Sequence, residues 1–128
     1  MRREAKKIGL AIVGAGRVGL IRGELAARHP SVGWIGVCEK IPERAKFVAD
    51  KVGADFVTAD YRELIARPEV NALVVSTDEH LHVDPVLAAC ERGIPMLIEK
   101  PLATDLAESQ MVMDALEHAG IDAVIRSE

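Results

Sequence analysis

Short apolar runs and helix-forming stretches alternate along this chain from one end to the other. That alternation limits its fold more than any single residue does. The apolar runs are KIGLAIV (Lys7–Val13), GWIGVC (Gly33–Cys38), DFV (Asp55–Val57), NALVVS (Asn71–Ser76), PMLIE (Pro95–Glu99) and DAVI (Asp122–Ile125). Between the first two, Arg17–Arg28 predicts a helix with Val18, Ile21, Leu25 and the stem of Arg22 inward, ended by His29-Pro30. Pro42 opens a second helix at a position it tolerates, running to Gly53. A brief helix is predicted at Tyr61–Ala66 and a fourth from about His80 to Arg92, ended by Gly93 as a left-handed cap. Thr104 caps a fifth, with Asp105 and Glu108 in its positive first turn and Gly120 at its end.

Six strand signals alternating with five helical ones predict an α/β fold, a doubly wound parallel six-stranded sheet. Composition agrees with that fold. Hydrophobic residues make up 49% of the chain but only four are aromatic, so the core is built from Val, Ile, Leu and Ala. That palette suits strands covered on both faces. The 128 residues, with no repeat, linker or low-complexity segment, read as a single domain spanning 1–128.

Several function classes drop out. A net charge of −4 and the lack of an interleaved basic and aromatic pattern argue against nucleic acid as a partner. The basic cluster Arg2, Arg3, Lys6 and Lys7 reads as a solvated arm. IGLAIVGAG resembles the apolar part of a signal peptide, but it runs into Arg17 with no small-residue cleavage site. No apolar run has the length of a membrane span. Cys38 and Cys90 lack metal or redox spacing and read as small buried residues in a reducing cytoplasm. No metal site is expected.

The first apolar run ends in IVGAGRVG, which contains Gly14-x-Gly16-x-x-Gly19. Such a pattern alone is weak, because glycine spacings of this kind also arise by chance. Here a strand precedes it and a helix follows. Gly14 then permits a tight turn, Gly16 lets a pyrophosphate approach the backbone, and Gly19 lets the helix pack closely on the strand. The amides around Arg17 and Val18 would face the phosphates at a helix N-terminus. The same pattern calls for an acidic residue about 20 positions later, after the second strand, and Glu39 stands there. Its carboxylate can accept from both ribose hydroxyls of an adenosine and would repel a 2′-phosphate, favouring NAD. Lys40 and Arg44 leave NADP open. The plainer reading is that Glu39 is a solvated strand end and the two cations are surface charges.

Two later stretches narrow this further: VVSTDEHLH after the fourth strand and LIEKPLA at the fifth. With GAGRVG and CEKIPERA, they make the chain resemble, over nearly its whole length, the N-terminal NAD(P)-binding Rossmann domain of Gfo/Idh/MocA oxidoreductases. Glu99-Lys100-Pro101 is the most specific element of that resemblance. In the family the loop after the fourth strand usually reads Thr-Pro-x-x-x-His and lies beside the cofactor. Thr77 and His82 match, whereas Asp78 replaces the proline and Glu79 a common asparagine. The resemblance implies that Lys100 is the catalytic lysine at nicotinamide and substrate, held by Glu99, which also contacts the cofactor. It also implies a cis peptide at Lys100-Pro101. Ligands of open α/β sheets bind beyond the carboxyl ends of the strands, which is where Gly14, Glu39, Thr77 and Lys100 fall.

The other candidates have plainer readings. His80 and His82 diverge on a helix and do not form a metal pair, while His29 and His118 near helix C-termini suit the helix dipole when protonated. Met111 and Met113 read as packing residues. The family's second domain supplies substrate walls, a histidine and most of the oligomer interface, and is absent from this chain. The expected function is therefore the cofactor half of a dehydrogenase acting on a hydroxyl or ketone of a sugar- or cyclitol-like substrate. The parent is expected to be a homo-oligomer and the isolated chain inactive. The alternative is a regulatory module that binds NAD(H) without turnover. A methyltransferase, which also has a Gly-rich first loop, is disfavoured by the Glu-Lys-Pro stretch.

Overall fold

A computed structural model describes residues 8–14, 16–76, 83–99, 114, 117, 120 and 123–126. Its elements are β1 (Ile8–Val13), α1 (Arg17–Ala27), β2 (Val32–Cys38), α2 (Pro42–Val52), β3 (Phe56–Thr58), α3 (Tyr61–Ile65), β4 (Ala72–Val75), α4 (Val83–Glu91), β5 (Met96–Glu99) and β6 (Ala123–Arg126). The strands follow the order β3-β2-β1-β4-β5, with β6 pairing along the outer edge of β5 from Met96↔Ala123 to Glu99↔Arg126. Every pairing is parallel. This is a Rossmann-like α/β fold, and its strand order reverses direction between β1 and β4.

Side chains of successive strand residues point to opposite faces, and the two faces have separate cores. Leu10 and Ile12 of β1 join Ile35, Val37 and Val74 beneath Val48 and Val52 of α2, with Leu20 and Ala26 of α1 packed against them. Ala11 and Val13 join Cys38, Leu73, Val75 and Ile98 beneath Leu64 and Ile65 of α3 and Val86 and Ala89 of α4. Helices therefore cover both faces. β1 and β4 are consequently apolar at every buried position rather than at alternate ones.

Local chemistry places the helix ends. Pro42 sits in the first turn of α2, which closes on Gly53 in the left-handed conformation. Gly93 and Gly120 have the same positive φ at the predicted ends of their helices. Asp60 caps α3 by accepting from the Arg62 amide at 2.9 Å. Of the helix predicted after Thr104, Asp114 and Glu117 are helical and the rest lies outside the described residues, as do Met111 and Met113.

Two local expectations are corrected. The inward face of α1 is not the Ile21–Leu25 row: those side chains are 46% and 57% exposed. The helix instead turns Gly19, Leu20, Gly23 and Ala26 towards the sheet and α2. A Cβ on Gly23 would stand 2.7 Å from a Val52 methyl and 3.0 Å from Ile12. Close approach of the helix, not the size of its apolar residues, selects the buried face. The side chain of Val18 is not among those described. At His29 the structure shows a turn contact in place of a helix-end partner, its Nδ1 accepting from the Ser31 amide at 3.1 Å.

Candidate functional site

The strand ends are level across the sheet. Cys38 pairs with Val13, Val13 with Val75, and Val75 with Ile98. The next residues along, Glu39, Gly14, Ser76 and Glu99, therefore share one row at the carboxyl edge. A cleft of about 380 Å³ opens beside that row, lined among others by Gly14, Gly16, Glu39, Lys40, Arg44 and Ser76. It stands at the reversal between β1 and β4, where a doubly wound sheet leaves room between helices that depart to opposite faces.

Each part of the glycine loop has a physical reason. Gly14 has φ 100, a conformation that side-chain-bearing residues rarely adopt. Gly16 is the N-cap of α1 in an extended conformation, and a Cβ there would meet nothing within 4 Å. Only glycine leaves that approach to the backbone clear. A Cβ on Gly19 would collide with the Gly14 carbonyl oxygen and come within 2.9 Å of Ser76 Oγ. Arg17 and Val18 lie in the first turn of α1, whose amides have no partner within a helix.

Glu39 leaves β2 half-buried at the cleft wall. Its amide donates to the Thr58 carbonyl at 3.0 Å, and its Oε2 accepts from the Ile41 amide at 3.1 Å. The carboxylate is thus fixed by its own turn. Lys40 and Arg44 are exposed on the same wall. Beside them, burial pushes the Cys38 thiol up to about 12, with Asp60 and Glu39 adding to the rise and Lys40 opposing it. That makes Cys38 an inert apolar wall, not a nucleophile. Cys38 and Cys90 are both free thiols.

Several lining residues are not among the site residues expected from the sequence: Ser76, Ile41, Tyr61, Asp84 and Pro85. Burial raises the Tyr61 phenol, Arg62 opposing and Asp84 and Asp60 adding to the shift. Only the packing of α3 and α4 on one face brings Tyr61 and Asp84 to the cleft. No sequence spacing announces it.

Of the other predicted site residues, Glu99 closes β5 in the row described above, and its side chain is not described. Thr77, Asp78, Glu79, His80, His82, Lys100 and the Lys100-Pro101 peptide lie outside the described residues. Thr77 follows Ser76 in the chain and Lys100 follows Glu99. Among the described residues, no group of His, Cys, Asp or Glu is arranged to hold a metal ion, and no helix is long and apolar enough to cross a membrane.

A family model described as "Oxidoreductase family, NAD-binding Rossmann fold" (Gfo/Idh/MocA) matches residues 8–125. The chain belongs to this family. As an NAD-binding domain, its cleft is the place to test for the dinucleotide, and the open approach at Gly16 and the fixed carboxylate of Glu39 fit that group. Similar proteins include a 2,7-anhydro-N-acetylneuraminate hydratase of Mediterraneibacter gnavus, 32% identical over 91% of this chain and 30% of its own length. An inositol 2-dehydrogenase of Gluconacetobacter diazotrophicus is 34% identical over 84% of this chain and 33% of its own. A solved levoglucosan dehydrogenase in complex with NADH superposes with a TM-score of 0.84 and 27% identity, over 92% of this chain and 34% of that one. The chain thus spans about a third of the length of the curated relatives it matches.

Proposed function

We propose that this domain is the cofactor half of an oxidoreductase that moves a hydride between NAD and a hydroxyl or ketone carbon of a sugar- or cyclitol-like substrate. The carrying observation is the cleft at the strand reversal, with an unobstructed Gly16 on one side and the anchored Glu39 carboxylate on the other. Gly14, Gly16 and the first-turn amides of Arg17, Val18 and Gly19 hold the pyrophosphate. Glu39 accepts from the adenosine ribose hydroxyls, which favours NAD over NADP. Lys40 and Arg44 flank that position and make the preference one of degree.

The bound nicotinamide supplies the hydride acceptor or donor. Lys100, following the row of strand ends, hydrogen-bonds the substrate oxygen and stabilises the charge that develops there as the C–H bond breaks or forms. Glu99 orients that lysine, and Thr77 and His82 border the cofactor. The substrate walls come from a second domain in a longer, homo-oligomeric parent, so this chain alone binds without turnover. The inositol and levoglucosan dehydrogenases among its relatives support the substrate class. Two unpaired cysteines suit a cytoplasmic setting.

Calorimetric titration with NADH and NADPH tests the reading. Binding of NADH, tighter than NADPH, is expected; no binding of either at millimolar concentration would remove the cofactor assignment. Trp34 is a poor contact reporter for this titration, because it stacks on Phe56 near the opposite end of β2.

A further inference from the structure

We propose that Ser76 is a positioning residue for the dinucleotide, bracing the glycine loop through the carbonyl of Gly14. The inference rests on the cofactor reading of the cleft and assigns a role to a side chain outside the glycine motif. Ser76 is the first residue after β4, across the strand reversal from the loop. Its amide donates to the Val13 carbonyl at 2.8 Å, continuing the β1–β4 ladder by one rung. Its hydroxyl then donates to the Gly14 carbonyl, also at 2.8 Å. The same oxygen is the one a Cβ on Gly19 would strike, so it lies wedged between the serine hydroxyl and the first turn of α1.

This wedge has a directional consequence. Gly14 is buried and sits at φ 100, so the orientation of its carbonyl sets the path by which the chain reaches Gly16. A donor on one side and a close-packed helix on the other leave that carbonyl a single orientation. The approach at Gly16 and the first-turn amides of α1 are then aligned before any phosphate arrives, which lowers the ordering cost of binding. The hydroxyl also gives this carbonyl a hydrogen-bond partner inside the fold. Alanine at this position would free the loop without filling the cleft.

The test compares Ser76→Ala and Ser76→Thr in the 128-residue chain, with NADH and adenosine as probes. Ser76→Ala should weaken NADH about fivefold, the scale of one buried hydrogen bond, while adenosine, which lacks the pyrophosphate, stays within about twofold. Ser76→Thr keeps the donor and should recover most of the NADH affinity. Amide hydrogen exchange at Gly16 to Gly19, measured without ligand, should quicken in the alanine variant and not in the threonine one. Equal loss of NADH and adenosine would overturn the brace, since that pattern marks general damage to the cleft. So would unchanged NADH affinity with unchanged exchange in a chain whose parent form binds NADH. If the parent chain binds no NADH, the cofactor reading fails first and the role of Ser76 falls with it.

Discussion

Gly16 and Gly19 belong to one motif, yet an alanine at each should behave in opposite ways. At Gly16 the backbone is extended, with φ −83 and ψ −161, and an added Cβ meets nothing within 4 Å. Alanine there should gain about 0.4–1 kcal/mol by restricting the unfolded chain. It should lose about as much by replacing a favourable N-cap residue with a poor one. Stability should therefore stay within about 0.5 kcal/mol of the parent. Binding should not, because the methyl group occupies the approach of the pyrophosphate, and NADH affinity should fall at least about tenfold, or roughly 1.4 kcal/mol. At Gly19 the added Cβ meets the backbone oxygen of Gly14, which cannot swing aside as a side-chain tip would. Overpacking costs of about 1–3 kcal/mol then outweigh a helix-propensity gain of up to about 1 kcal/mol. A net loss of about 1–2 kcal/mol should lower the urea midpoint by roughly 0.5–1 M. Urea unfolding followed by circular dichroism, and calorimetry with NADH, read the two effects separately. A Gly16→Ala variant that binds NADH as the parent does would refute the assignment of that opening to the pyrophosphate.

Other perturbations probe the cleft wall and the helix faces. Glu39→Ala should weaken NADH more than NADPH; equal losses in parallel titrations would show that Glu39 does not read the ribose. Cys38 should resist alkylation at pH 8–9 in the folded chain and react once urea unfolds it, because the thiolate is the reactive form. Its thiol is raised from 9.0 to about 12 on folding, so the native state holds the proton more tightly. The associated stability is fully present below pH 9 and is lost as pH rises towards 12, a decline that should be smaller in Cys38→Ala. Leu25→Ser should change the urea midpoint by less than about 0.5 kcal/mol equivalent, since Leu25 is exposed. A loss of several kcal/mol would restore it to the core.

The alternation of apolar runs and helix signals was enough to place β1, β2, β4 and β5 to within a residue or two. Their faces are covered on both sides, so each reads as a continuous apolar run. The helix ends were legible where backbone chemistry leaves no choice, at Pro42, Gly53 and Gly93. The buried face of α1 was not. Apolar size pointed to Ile21 and Leu25, whereas the distance between helix and sheet selects Gly19 and Gly23. A sequence pattern encodes hydrophobicity and not the separation of packed elements.

The same division runs through the cleft. The sequence by itself determined the glycine loop and the acid that follows β2, because a tight turn and a close backbone approach restrict the residue type at a fixed spacing. It also marked the family. Only the tertiary structure decided that Ser76 reaches Gly14, that Tyr61 and Asp84 join the wall, and that Gly16 and Gly19 do different work. Those contacts join residues far apart in the chain, 62 positions in the case of Ser76 and Gly14. They depend on the strand register and helix packing, which fix positions that no local spacing can express.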